Sequence, residues 1–351
     1  MVDWLAGKRM KGTSSERTSL STTALGGTGV GGWVELARTT LGSAGDTITV
    51  SSLPDKRYYM VLSYQISSGQ IASVGRFNND TGSNYFARSS DNGSSDWTGS
   101  GRTDFLGFRE LSGVTNPYFH VGYFANYASK EKLTQTWGVN QNTAGAGNAP
   151  TRHVSVGKWT NTSNAINRLD LVNLGSGDLN TGSEVVVLGY DPADTHTNNF
   201  WQELADVSWS SGGTIDTSTF TAKKYLWIQA WYKGSSSVTF TVNNDSGNNY
   251  AYRLSNNGAA DATSTSNVGH RVNFGFDTTP VFVNCFIINN ASNEKLAIWH
   301  VTSQNTASAS NAPNRTEWVS KWANTSNQIT SFKMVASPVF TGGQIKVWGA
   351  D

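Results

Sequence analysis

Gln141-Asn142-Thr143-Ala144, Asn148-Ala149-Pro150, Lys158-Trp159 and Asn161-Thr162-Ser163-Asn164 return as Gln304-Asn305-Thr306-Ala307, Asn311-Ala312-Pro313, Lys321-Trp322 and Asn324-Thr325-Ser326-Asn327, all displaced by 163 positions. The repetition extends outward in both directions. Asn78-Asn79-Asp80-Thr81-Gly82, with Tyr85 and Arg88, returns as Asn243-Asn244-Asp245-Ser246-Gly247, with Tyr250 and Arg253, displaced by 165. Trp33-Val34-Glu35-Leu36-Ala37 returns as Trp201-Gln202-Glu203-Leu204-Ala205 and Lys56 as Lys224, displaced by 168, while Gly189 returns as Gly349, displaced by 160. An offset that shrinks in small steps means short deletions in loops while the order of elements is kept. A solenoid needs at least about three copies of a shorter unit, so two copies of about 155 residues are two whole domains. The division is residues 1–32, an arm; 33–191, domain one; 192–199, a linker; and 200–351, domain two.

Strand signals dominate both copies. In Ser237-Val238-Thr239-Phe240-Thr241-Val242 apolar side chains alternate with hydroxyls, the period of two that marks a strand with one wet face. Tyr225-Leu226-Trp227-Ile228-Gln229-Ala230-Trp231-Tyr232 is instead apolar on both faces, like its counterpart Tyr58 to Tyr64, and reads as a central strand covered on both sides. Further strands are expected at Thr47 to Ser51, Tyr118 to Ala125, Leu133 to Val139, Leu169 to Leu174 and Glu184 to Gly189, with matching segments in the second copy. Between them lie Asn-Asn-Asp-x-Gly, Asn-Gly and Ser-Gly clusters, whose residues tolerate left-handed turns. No amphipathic helix longer than two turns is evident. Eight to ten short strands per copy predict an all-β chain: two tandem homologous jelly-roll-like antiparallel β-sandwiches preceded by an extended N-terminal arm.

With 351 residues, 37% hydrophobic and 11% aromatic, the chain can bury two substantial cores. Only 15% of residues are charged, so the surface is built largely from Ser, Thr, Asn and Gly, as in secreted or particle-borne β proteins. A net charge of +1 lacks the cation excess of a dedicated nucleic-acid binder, and nucleic acid is not expected as a partner. The one cysteine, Cys285, sits in the apolar run Val281 to Ile288 and reads as a buried strand thiol, which leaves no disulfide framework and no Cys-based metal site. Met1-Val2-Asp3-Trp4-Leu5-Ala6 turns polar by Lys8-Arg9, unlike a signal peptide, and no run approaches the ~18 apolar residues of a membrane span. The expectation is a protein made without classical export and not inserted into a membrane.

Each copy closes with an apolar strand after a small glycine turn: Thr181-Gly182-Ser183-Glu184-Val185-Val186-Val187-Leu188-Gly189-Tyr190 and Thr341-Gly342-Gly343-Gln344-Ile345-Lys346-Val347-Trp348-Gly349. This closing strand resembles that of jelly-roll domains in virion proteins of tailed bacteriophages, of the capsid-decoration, head-fibre or tail-fibre type. The resemblance covers both repeats loosely and rests on a short motif. It implies a structural or adhesive particle component without enzyme activity.

A duplicated enzyme should repeat its acids, bases and nucleophiles as a set. None of His120, His153, His196, His270 and His300 has a histidine at the matching position, and His300 falls opposite Trp137. Scattered core or surface histidines explain them better than metal ligation. No Walker A loop, Gly-x-Ser-x-Gly elbow or His-Glu-x-x-His is present. The charged residues that do recur, Glu35/Glu203, Lys56/Lys224, Arg88/Arg253 and Glu131-Lys132/Glu294-Lys295, read as ion pairs, loop bonds and caps. Asp80 and Asp245 are the only calcium candidates, because Asn-Asn-Asp-x-Gly gathers hard oxygens beside a glycine turn; Asx-turn chemistry accounts for the same residues, and no cofactor is expected. Trp33/Trp201, Tyr85/Tyr250 and Trp159/Trp322 recur as packing aromatics, with sugar-stacking platforms the alternative.

Residues 1–32 cannot bury a core of their own. They carry a net charge of +2 and read as an anchoring arm, with Trp4, Leu5 and Met10 as apolar pegs among Lys8, Arg9 and Lys11. The functional expectation is a non-enzymatic structural component of a viral particle, located in the virion, partnered by other virion proteins and by further copies of itself. The alternative is a carbohydrate-binding adhesin or lectin with one shallow site per domain and a host-surface glycan as ligand.

Overall fold

The computed structural model describes residues 32–109, 116–191, 199–234, 237–273, 279–306 and 309–351, and every regular element among them is a β-strand. The first copy contains β1 (Val34–Thr40), β2 (Thr47–Ser51), β3 (Tyr58–Gln65), β4 (Ser73–Phe77), β5 (Tyr85–Asp91) and β6 (Trp97–Arg102). It continues with β7 (Tyr118–Ala125), β8 (Lys132–Asn140), β9 (Thr151–Trp159), β10 (Arg168–Asn173) and β11 (Glu184–Tyr190). An eight-stranded sheet runs β1-β11-β3-β7-β8-β9-β5-β6, and a three-stranded sheet runs β2-β10-β4.

The second copy contains β12 (Gln202–Trp209), β13 (Gly212–Asp216), β14 (Tyr225–Lys233), β15 (Ser237–Val242), β16 (Tyr250–Asn256) and β17 (Ala262–Asn267). After these come β18 (His270–Asn273), β19 (Val281–Ile288), β20 (Lys295–Ser303), β21 (Asn314–Trp322), β22 (Phe332–Phe340) and β23 (Gly342–Ala350). Its sheets run β12-β23-β14-β19-β20-β21-β16-β17 and β13-β22-β15-β18. The order is that of the first copy with β18 added; among the described residues the first copy has there the bridge between Gly75 and Phe105. Even the irregularities recur: β1 slips against β11 between Glu35 and Ala37, and β12 slips against β23 between Glu203 and Ala205. Pairing is antiparallel throughout, the arrangement that lets one sheet face be wet or packed independently of the other.

The strand count exceeds the eight to ten expected per copy. The additional strands include β6 (WTGSGR) and β17 (ATSTSN), which carry little apolar alternation and lie largely exposed at the sheet edge. Backbone pairing to β5 and β16 makes them strands, and hydrophobic pattern cannot reveal that.

The turns form as their residues require. Asn78, Asn79, Asn243 and Asn244 have φ of 52°, 56°, 51° and 56°, the left-handed region that Asn tolerates best after Gly. Asn78 Oδ1 accepts the backbone N–H groups of Asn167 and Arg168 at 2.9 and 3.1 Å, and Asn243 Oδ1 accepts those of Thr330 and Ser331 at 2.8 and 3.2 Å. Each asparagine thus ties the turn to the start of the neighbouring strand in the small sheet that the turn leaves, β10 or β22.

Three packed layers of side chains hold four sheets together. Ile48, Tyr59, Val61, Phe77, Trp159 and Leu171 belong to the core between the two sheets of the first copy. Leu226, Ile228, Phe240, Trp299, Trp318 and Met334 belong to the equivalent core of the second. The third core lies between the copies: Met60, Leu62, Tyr64, Phe119, Val121 and Val139 of one pack with Tyr225, Phe286, Ile288, Leu296, Ile298 and Trp348 of the other. The two large sheets therefore meet face to face. This explains why β3 and β14 are apolar on both faces: Tyr59 and Val61 point into their own sandwich, while Met60, Leu62 and Tyr64 point at the second copy.

Candidate functional site

The residues singled out from sequence do not assemble into one centre. Trp4, Leu5, Lys8, Arg9, Met10 and Lys11 lie outside the described residues, as does His196. Asp80 and Asp245 are used identically and locally. Asp80 Oδ1 accepts Gly82 N–H at 2.8 Å, and its Oδ2 accepts Trp159 Nε1–H at 2.7 Å and Asn84 Nδ2–H at 2.9 Å. Asp245 repeats this with Gly247 at 2.8 Å, Trp322 at 2.7 Å and Asn249 at 2.9 Å. Burial raises both carboxyls, but the bonds from Trp, Asn and Gly outweigh it and hold them below the usual carboxylate range. N–H donors converge on both oxygens, so each carboxylate serves as a turn lock that anchors a core tryptophan. Among the described residues no group of three or more His, Cys, Asp or Glu is placed to hold a metal ion.

The recurrent aromatics go to the cores. Trp159, Trp201, Trp322, Tyr85 and Tyr250 are all at most 2% exposed, and Trp33 is half-buried against Tyr123 and Tyr190. His120, His153 and His270 are buried too, His153 bonding Asp91 at 2.6 Å. Burial pushes His120 and His270 down to about 3, so both imidazoles are neutral. Burial likewise raises the Cys285 thiol, which leaves it unreactive. Trp137 and His300, matching positions in the two copies, meet across the interface with ring centroids 4.8 Å apart.

Charged residues gather where the two large sheets meet. Arg152 on β9 donates to Asp261 at 2.7 Å and to Glu317 at 2.8 Å, both in the second copy, with side-chain exposures of 5% for Arg152 and 1% for Asp261. Arg253 lies 3.9 Å from the same aspartate and donates to the Pro150 carbonyl at 2.9 Å. The turn at Gly93, with φ of 72°, presses so close that a Cβ there would stand 2.3 Å from Asp261 Oδ1. Lys321 on β21 is fully buried, 3.3 Å from Glu294, and donates to the Gln141 carbonyl of the first copy at 3.1 Å and to that of Thr143. Glu184 accepts Tyr225 Oη–H at 2.7 Å and pairs with Lys224 at 2.9 Å. Its burial is outweighed by the bonds from Thr40, Tyr225 and Lys224, and its carboxyl stays below the usual range.

These pairings resolve the recurrent charges, and they do so unequally. Glu294–Lys321 is buried in the interface, with side-chain exposures of 4% and 0%, whereas the matching Glu131–Lys158 is open, at 41% and 39%. Asp261 is buried, whereas the matching Asp96 is 49% exposed and held 3.2 Å from Arg88. The interface therefore uses one half of the first copy's sheet face, around Phe119, and the opposite half of the second copy's, around Leu296. The reading from sequence missed this division. Its signal lay in outward-facing positions compared between copies: Val121, Val139 and Val186 against Asn284, Thr302 and Lys346, and Gln135 and Ala125 against Ile298 and Ile288.

The unburied half of the first copy's face is open. Phe86, Arg88, Thr98, Leu133, Val156 and Lys158 line a shallow groove of about 500 Å³. Beside it Trp33, Tyr58, Tyr123 and Leu133 line a second of about 310 Å³. Trp97, 42% exposed, lies under the Arg102 guanidinium at 5.5 Å.

No protein-family model matches this chain, and no curated protein matches it in sequence. Among solved structures it is similar to the LG1-3 region of the laminin α2 chain, at 10% identity and a TM-score of 0.22, over 87% of this chain and 64% of that one. Domains LG4-5 of the mouse laminin α1 chain match at 8% identity and a TM-score of 0.18, over 88% and 94%. A223, a turret protein in Sulfolobus turreted icosahedral virus, matches at 11% identity and a TM-score of 0.13, over 90% and 96%. The chain thus spans under two thirds of the laminin α2 region. None of these likenesses is close enough to carry function. Among the described residues no helix is long and apolar enough to cross a membrane.

Proposed function

We propose that this chain is a non-enzymatic structural component of a viral particle, a capsid-decorating, fibre or related surface protein that acts through protein–protein contacts. The observation that carries the reading is the burial of half of each large sheet's outer face, with its charged and aromatic residues, in a domain–domain contact. Several titratable groups serve that contact or a turn: Glu294, Lys321, Glu184 and Lys224 fix one copy to the other, and Asp80 and Asp245 lock loops. A rigid four-layer body with a surface poor in charge suits close packing into an assembly. The closing strand of each copy, similar to that of bacteriophage virion jelly rolls, adds the viral setting. Residues 1–32 complete the proposal as an anchoring arm laid on a neighbouring subunit.

Quantitative mass spectrometry of purified particles from the source organism tests this. The chain is expected at a fixed ratio to the major coat protein, and a chain lacking residues 2–32 is expected to fold and fail to incorporate. Recovery only outside particles would contradict the reading. The open groove around Leu133 and the exposed Trp97 favour one other reading, a glycan-binding adhesin. Glycan-array binding abolished by Trp97→Ala would establish it.

A further inference from the structure

The interface inside the chain joins unlike halves of two like faces, so each copy keeps open the half that the other has used. On the first copy Tyr58, Leu133 and Val156 are 36%, 56% and 45% exposed, while their counterparts Tyr225, Leu296 and Val319 are at most 1% exposed. On the second copy Trp231 and Phe282 are 44% and 45% exposed, while their counterparts Tyr64 and Phe119 are again at most 1%. These five are nearly half of the eleven large hydrophobics exposed among the described residues, and every one lies on a half-face whose twin is an interface. Twins at mid-face belong to both halves: Met60 and Trp227, Leu188 and Trp348, Tyr123 and Phe286, Trp33 and Trp201, and Trp137 with His300.

The polar partners are duplicated as well. The loop that caps Lys321 is held by Gln141 N–H to the Pro117 carbonyl at 3.1 Å, by Asn142 at φ 63°, and by Asn142 Nδ2–H to the Ala149 carbonyl at 3.0 Å. Its twin in the second copy has the same form: Gln304 to Pro280 at 2.9 Å, Asn305 at φ 67°, and Asn305 to Ala312 at 2.9 Å. Lys158 and Glu131 stand ready for that loop, as Lys321 and Glu294 do for the first. Arg315, twin of Arg152, is 61% exposed, and Asp96, twin of Asp261, is 49% exposed.

We infer that a second copy of this chain docks on the open Leu133 half-face with its own Phe282 half-face and Gln304 loop, repeating between chains the contact already made within each. The inference rests on the structural reading above and names its partner. Such a contact is heterologous, so repetition gives an open line or, where the rotation closes, a ring. Asn284, Thr302 and Lys346 replace Val121, Val139 and Val186 in the new contact, which makes it weaker than the internal one and dependent on concentration.

Sedimentation velocity of the full chain, from low micromolar to several hundred micromolar, tests the inference. The mass is expected to rise past the dimer. Leu133→Arg spoils one half-face and Phe282→Asp the other, so each variant alone is expected to assemble at a concentration about tenfold higher or more. Mixed one to one, the two retain one good half-face each and are expected to form a heterodimer and nothing larger. Both positions are exposed; should either variant fail to fold by circular dichroism, Val156→Arg or Trp231→Asp takes its place. A wild-type chain that stays monomeric, variants that assemble unchanged, or a mixture that stays monomeric would overturn the inference. So would assembly seen only after deletion of residues 2–32, which would make the arm the occupant. A monomeric chain found at fixed ratio in particles would remove the docking and leave the structural reading standing, while an assembling chain absent from particles would do the reverse.

Discussion

Phe119 and Phe282 occupy the same place in the two copies, on β7 and β19, and differ in what lies over them. Phe119 is 1% exposed against Tyr225, and Phe282 is 45% exposed. The same division separates Lys321 from Lys158, Asp261 from Asp96 and Leu296 from Leu133. Duplication made two equal faces, and an offset contact made their halves unequal. The lesson is that burial of a twin residue shows what its exposed partner is chemically able to do.

Truncation at those phenylalanines should separate the twins most. Phe119→Ala should cost about 3–5 kcal/mol of stability in urea unfolding, as a large side chain removed from a packed core does, and Phe282→Ala less than about 1 kcal/mol. Next comes the arginine pair. Arg152→Ala strands the buried Asp261 with only Arg253 at 3.9 Å and should cost about 3 kcal/mol, whereas Arg315→Ala should stay within about 0.5 kcal/mol.

The copies also carry buried imidazoles at unlike positions, among them His120 in one and His270 in the other. Burial holds both at about 3, below the ordinary 6.5, so between these values the unfolded chain binds protons that the folded chain refuses. Stability from this source is full above about pH 6.5 and falls toward pH 3, by up to about 1.4 kcal/mol per pH unit per histidine. Folded His120→Asn should flatten that acid limb by one histidine's share, measured by unfolding midpoints between pH 4 and 7. Twins inside the sandwiches should differ least. Asp80→Ala and Asp245→Ala should cost similar amounts, about 1–3 kcal/mol each, because inside the sandwiches the twins do the same work for Trp159 and Trp322.

What was legible in the sequence was local. The alternation in Ser237 to Val242 and the asparagine pairs at 78–79 and 243–244 report backbone geometry through their own side chains, and they placed strands and turns well. β6 and β17 were illegible because they exist through hydrogen bonds to a neighbour and not through apolar pattern. The double-faced strands at Tyr58 and Tyr225 declared that something covers them without saying what. The cover turned out to be the other copy, a long-range choice that only position-by-position comparison of twins hints at. Of the residues first weighed for chemistry, Asp80 and Asp245 proved to be turn locks. The contact between the copies was built instead from Arg152, Asp261, Glu294 and Lys321, whose roles depend on neighbours far away in sequence.

Hydroxyl-radical footprinting of the intact chain at rising concentration, read at the twin pairs Phe119/Phe282, Tyr225/Tyr58 and Leu296/Leu133, separates the offset contact from its alternatives. Phe119, Tyr225 and Leu296 are expected to be protected at every concentration, while Phe282, Tyr58 and Leu133 react when dilute and become protected together as the chain associates. Equal reactivity of the twins in dilute solution would contradict the offset contact, and open residues that stay reactive while the chain assembles would contradict its repetition between chains.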